Sequence, residues 1–106
     1  MGYALIRYGV KNTSLEENRA LIAKVFEDLH QSAPKAVQYA VLELDGGEFV
    51  HIVRTPDDGD ASPLTQLPAF KAFGDSHAER RSTPVMRSPA RIIGNYRLLG
   101  EAKPGS

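Results

Sequence analysis

The 106-residue sequence predicts an α+β fold: a four-stranded antiparallel sheet with two helices on one face. Three observations carry this. First, VQYAVLEL (Val37 to Leu44) and FVHIVR (Phe49 to Arg54) are β-branched and aromatic runs separated by Asp45-Gly46-Gly47-Glu48. Asp-Gly and Gly-Gly supply the positive φ angles of a tight hairpin turn. Second, an amphipathic helical stripe follows an apolar first strand. Third, a second helical stripe follows the hairpin and precedes a last apolar run, so the order is strand-helix-strand-strand-helix-strand.

Tyr3 to Val10 is the first strand, with Tyr3, Leu5 and Arg7 on one face and Ala4, Ile6, Tyr8 and Val10 on the other. Two largely apolar faces mark a central strand. Ser14 opens the first helix, and Glu17 three residues later completes a capping box. Leu15, Ile22, Val25, Phe26, Leu29 and Ala33 then fall in one stripe of the width expected for a one-sided helix. Asn18 is the polar member of that stripe, read as a core-edge amide bonded to backbone. Pro34 ends the helix, because the residue before proline resists helical geometry.

Thr55 to Pro63 is a turn-rich acidic loop. Its three aspartates lack the alternation and closing glutamate of a calcium loop, so a solvated loop is expected and no metal site. The second helix is predicted over Leu67 to Arg81, with Phe70, Phe73, Gly74 and His77 sharing one face. Ser82 to Pro89 is read as an extended connector and Ala90 to Leu99 as the final strand. Residues 1–100 form one domain, and 101–106 a flexible tail.

The totals exclude several function classes. Lysines and arginines number 13 and acidic residues 13, so no basic stripe predicts nucleic-acid binding. There are no cysteines, hence no disulfide, thiolate metal site or cysteine nucleophile. No run approaches the roughly 20 apolar residues that span a bilayer, and Met1 to Val10 does not read as a signal peptide. The expectation is a cytoplasmic protein that engages no membrane.

Right-handed crossovers place both helices on one side of this ferredoxin-like sheet. The other side keeps apolar residues, from sets such as Leu5, Val41, Val53 and Ile93 or their alternates. A second copy packed face to face would cover them, so a homodimer is expected.

With its YALIRY opening strand, FVHIV strand, SPLTQLPAFKAF start of the second helix and closing GNYRLL, nearly the whole chain resembles the dimeric α+β barrel superfamily. Within it, the resemblance is to the antibiotic biosynthesis monooxygenase-like group. That group implies cofactor-independent quinone-forming oxygenases, haem-degrading oxygenases, small isomerases and members without known activity. Haem-degrading members carry an iron-ligating histidine on the second helix, assisted by an Asn and a Trp. His77 matches the first, but the chain has no Trp and its opening strand no Asn. No cofactor is therefore expected.

Two histidines are the candidate catalytic residues. His77 lies on the apolar stripe of the second helix beside Gly74, where a histidine facing a cavity could transfer protons. His51 lies between Val50 and Ile52 and must point into a buried space. Tyr39, Arg7, Tyr8 and Asn95, with Phe70, Phe73 and Gly74, are the candidate substrate-binding residues. The resemblance implies deprotonation of a phenolic or polyketide-type substrate, whose carbanion reacts with dioxygen. His51 or His77 would act as base, and Tyr39, Asn95 or Arg7 would hold the oxyanion. Each histidine has a plainer reading as a satisfied core residue. Three classes stay open: a cofactor-free monooxygenase, a non-catalytic binder of a small aromatic or apolar molecule, and a purely structural homodimer.

Overall fold

The computed structural model describes residues 3–33, 37–54 and 62–98. Four strands, β1 (Tyr3–Gly9), β2 (Gln38–Leu44), β3 (Glu48–Arg54) and β4 (Met86–Ala90), form one sheet in the order β2-β3-β1-β4. Every neighbouring pair is antiparallel. The long helix α1 (Leu15–Ser32) connects β1 to β2. Three short helices, α2 (Ser62–Thr65), α3 (Pro68–Asp75) and α4 (His77–Arg80), lie between β3 and β4. This is the ferredoxin-like βαββαβ order. The acidic stretch 55–61, with its aspartates, and the tail 101–106 lie outside the described residues.

The hairpin forms as its turn chemistry requires. Leu44 pairs with Glu48, and Asp45 to Gly47 close the loop with Gly46 at φ 88° and Gly47 at φ 82°. Gly47 also lets two backbones meet, since its carbonyl accepts from Val10 N at 2.8 Å. A Cβ there would stand 3.1 Å from Val10 O.

Four local expectations are corrected. Ser14 makes no side-chain cap: a 3₁₀ turn over Asn12–Ser14 leaves it at φ −115°, ψ 4°, outside the extended geometry that aims a capping hydroxyl. The second helix is broken, because Gly74-Asp75-Ser76 has poor helix propensity and Ser76 leaves helical geometry at φ −117°, ψ 24°. The last strand is Met86–Ala90, not Ala90 to Leu99. Its Pro89 reads as a strand breaker, yet β4 is an edge strand, which tolerates a missing N–H facing away from the ladder. Residues 91–98 join no ladder; Arg97 is at φ 66°, and Ile93 and Leu98 are 95% and 85% exposed. Finally, Val41 and Val53 belong to the covered side of the sheet, in and against the core.

That core, Tyr8, Val10, Val25, Phe49, Val53, Leu64 and Phe73, lies between the sheet and the helices. Alternation then places Leu5, Arg7, Ala40, Leu42, Val50 and Ile52 on the opposite side.

Candidate functional site

Strand register brings three polar rings together on the covered face. His51 of β3 is opposite Ile6 of β1 and Val41 of β2. Tyr8 and Tyr39 are the diagonal neighbours, Tyr8 two residues after Ile6 and Tyr39 two residues before Val41, within reach of long side chains. The result is a histidine clasped at both ring nitrogens. Tyr8 OH is 2.6 Å from His51 Nε2, and Tyr39 OH is 2.6 Å from His51 Nδ1.

The chain of hydrogen bonds continues inward. Asn18 of α1 donates through Nδ2 to Tyr8 OH at 3.4 Å and accepts at Oδ1 from Arg80 Nε at 3.0 Å. Asn18 is fully buried and bonded to side chains, not to the backbone as its place in the stripe suggested. Arg80, only 2% exposed, spends its other donors where the helix breaks: Nη1 on Ser76 Oγ and Nη2 on the Phe73 carbonyl, each at 2.7 Å. The break between α3 and α4 is thus what allows the guanidinium to turn inward and satisfy a helix-end carbonyl.

Burial, and secondarily His77, pushes the His51 imidazole down to about 4, so it is neutral at physiological pH. Burial holds both tyrosine hydroxyls above the ordinary phenol range; at Tyr8 the Asn18 hydrogen bond and the Arg80 charge offset part of that rise. His77 stands edge-on to Tyr8, ring centroids 4.4 Å apart, and 5.0 Å from Phe73. Burial first, then the Arg80 and Arg81 charges, pushes it too down to about 4. Its Nε2 is buried with no hydrogen-bond partner among the described residues, so it is a neutral imidazole with one ring nitrogen unengaged.

Phe70 and Phe73 form an aromatic wall from Tyr39 to His77: Tyr39–Phe70 6.4 Å, Phe70–Phe73 6.3 Å, and then Phe73–His77. Tyr39 also lines an open cleft of about 180 Å³ with Phe26, Leu29, His30, Ala33 and Val37, between the end of α1 and β2. His51, Tyr39, Tyr8, Phe70, Phe73 and His77 therefore come together. Three other candidates lie elsewhere. Arg7 faces the open side of the sheet, 3.5 Å from Glu48. Asn95 belongs to the segment after β4, where its Oδ1 accepts from Leu98 N. Gly74 is exposed, and a Cβ there would meet nothing within 4 Å, so it leaves no space beside His77. No group of three or more metal-ligating side chains occurs among the described residues.

Sequence reasoning missed Asn18 and Arg80 as parts of this constellation. A signal existed: Arg80 follows Phe73 by seven residues and His77 by three, which puts it on the apolar face rather than in a solvated basic pair with Arg81.

No family model matches the chain, and no curated protein matches it. Solved structures do. One described as antibiotic biosynthesis monooxygenase superposes with a TM-score of 0.70 at 13% identity, over 89% of this chain and 100% of that one. Rv0793 from Mycobacterium tuberculosis gives 0.68 at 19% identity, over 90% and 98%. A conserved protein from Methanosarcina mazei Go1 gives 0.67 at 14%, over 86% and 92%. The fold is that of the antibiotic biosynthesis monooxygenase-like proteins, a ferredoxin-like α+β domain matched over nine-tenths or more of the length of these structures.

Proposed function

We propose that the chain is a small monooxygenase-like protein acting, without a cofactor, on a phenolic or polyketide-type substrate. The observation that carries this reading is the pairing of two neutral histidines in one aromatic cluster, His51 clasped by two tyrosine hydroxyls and His77 with its Nε2 unengaged among the described residues. Tyr39, backed by His51, holds the substrate's developing oxyanion, and His77 accepts the phenolic proton. Phe70, partly buried beside Tyr39 and backed by the core ring of Phe73, presents the flat surface along which an aromatic ring packs. The phenolate then delivers electron density from a ring carbon to dioxygen. One oxygen atom stays on that carbon as the new quinone carbonyl. The other leaves as water with the carbon's hydrogen and the phenolic proton.

The open side of the sheet supports a homodimer as the working unit. Leu5, Ala40, Leu42, Val50 and Ile52 form an apolar strip, bounded at one end by Arg7 and Glu48 and at the other by Arg54, Gln38 and Tyr3. An apolar centre with a polar rim is the anatomy of a protein interface. The apolar side chains of Met86, Ile93, Tyr96 and Leu98 add to the surface a second copy would cover.

Oxygen uptake and quinone absorbance with a panel of hydroquinones, naphthols and anthrones test the enzyme reading. One dioxygen consumed per quinone, abolished in His77→Ala and slowed at least tenfold in Tyr39→Phe, is the expected result. A second reading, a homodimer with a packed interior and no substrate, draws on the modest volume of the Tyr39 cleft, below the ~300 Å³ of ordinary ligand sites. It prevails if no panel member is turned over or shifts the melting temperature.

A further inference from the structure

We propose that Arg80, acting through Asn18, is a positioning residue that fixes the direction of the whole hydrogen-bond chain, so that His51 carries its proton on Nδ1 and Tyr39 points its hydroxyl proton into the cleft.

Donor arithmetic sets the direction of the chain. A guanidinium only donates. Arg80 Nε therefore meets the oxygen of the Asn18 amide, which turns the amide nitrogen toward Tyr8. The Tyr8 oxygen accepts that N–H, and its own proton needs an acceptor. Tyr8 is buried, and His77 Nε2, although near, accepts from nothing among the described residues. His51 Nε2 at 2.6 Å is what remains. Once Nε2 accepts, the neutral imidazole holds its proton on Nδ1 and donates it to the Tyr39 oxygen at 2.6 Å. Tyr39 is left with a spare O–H.

The opposite direction is also drawn easily, with Tyr39 donating to Nδ1 and Nε2–H donating to Tyr8. It would strand the Tyr8 proton in a sealed core. The chosen direction strands the Tyr39 proton instead, at the part-buried end of the chain and on a residue that lines an open cleft. A donor facing water or a ligand loses nothing, whereas a buried unmatched one is costly. The Nδ1–H form should exceed the Nε2–H form by at least about tenfold on that difference.

The consequence is a specificity for acceptors. The cleft offers a phenol proton backed by imidazole, amide and guanidinium, aimed at a substrate's carbonyl or phenolate oxygen. It also removes His51 from the role of base, since its one lone pair already accepts from Tyr8. This use of the chain rests on the oxygenase reading, but the polarity itself is read on the free protein.

The test is the ¹⁵N spectrum of the ring nitrogens in labelled protein at pH 7, without substrate. Wild type is expected to show His51 protonated at Nδ1 and bare at Nε2. Asn18→Asp is the decisive variant: a carboxylate keeps the acceptor for Arg80 but cannot donate, so Tyr8 turns to donate to it. Nε2 must then donate to Tyr8, and the tautomer switches to Nε2–H. A wild-type spectrum showing Nε2–H overturns the proposal, whether or not the variant folds; so does a folded Asn18→Asp that keeps Nδ1–H. Failure to oxidise any phenol would leave this result untouched, and a reversed tautomer in a protein that still takes up oxygen would overturn the polarity while the enzyme reading stood.

Discussion

The two sides of one sheet have been built from the same strands to opposite ends. On the covered side, β1, β2 and β3 contribute Tyr8, Tyr39 and His51, and helices close over them until almost every polar atom has a named partner. On the open side, the alternate residues of the same strands offer Leu5, Leu42 and Ile52 around a buried Val50, with Leu42 half exposed and the Arg7–Glu48 pair at the margin. A period of two residues is enough to separate a specific polar interior from a non-specific apolar surface. Polar groups buried with full hydrogen-bonding specify one arrangement, and apolar groups left at a surface specify that something must cover it.

Substitutions that exploit this contrast should differ in kind as well as size. Phe49 anchors the covered side, stacked at 5.9 Å on Tyr8 and 1% exposed. Phe49→Ala should cost about 3–5 kcal/mol in urea denaturation; a loss below about 1 kcal/mol would mean this side is not the core. On the open side, Ile52→Asp should leave the fold in place and dissociate the proposed homodimer, read as a halved mass in analytical ultracentrifugation. Wild type running as a monomer at micromolar concentration would remove the basis of the comparison.

Acid should weaken the covered side selectively. His51 and His77 are held near 4 in the fold against about 6.5 in the unfolded chain, so the unfolded chain binds more protons between those values. Stability is then complete above about pH 6.5 and declines as pH falls toward 4, by on the order of 3 kcal/mol for His51 at full effect. His51→Gln should flatten that slope; an unchanged slope would assign the acid sensitivity elsewhere. Smaller still, Tyr39→Phe removes one hydrogen bond at the cleft end and should cost about 1 kcal/mol. Gly74→Ala should raise stability by up to about 1 kcal/mol, because the position is helical, without positive φ, and open to an added methyl.

Patterning carried the architecture a long way. The strand order, the Asp-Gly-Gly turn and the neighbourhood of His51, Tyr39 and Tyr8 follow from period, turn chemistry and register, all local or nearly so. What escaped depends on tertiary context. The strand Met86–Ala90 is poor in strand formers, and only its edge position beside β1 makes Pro89 acceptable. The apolar run after it looks like a better strand, yet β1 already has both its partners. Asn18 and Arg80 were unreadable as a pair because they are 62 residues apart and meet only where a helix breaks at Ser76. A lone amide in an apolar stripe says that a partner exists, without saying which one.

His51 is sealed between two tyrosines and uncharged, and everything on the covered side is arranged around it. Titration of its ring proton by NMR between pH 3 and 8 addresses that directly. The account predicts a midpoint near 4, reached only as the fold begins to give way; a clean titration near 6.5 in the folded protein would contradict it.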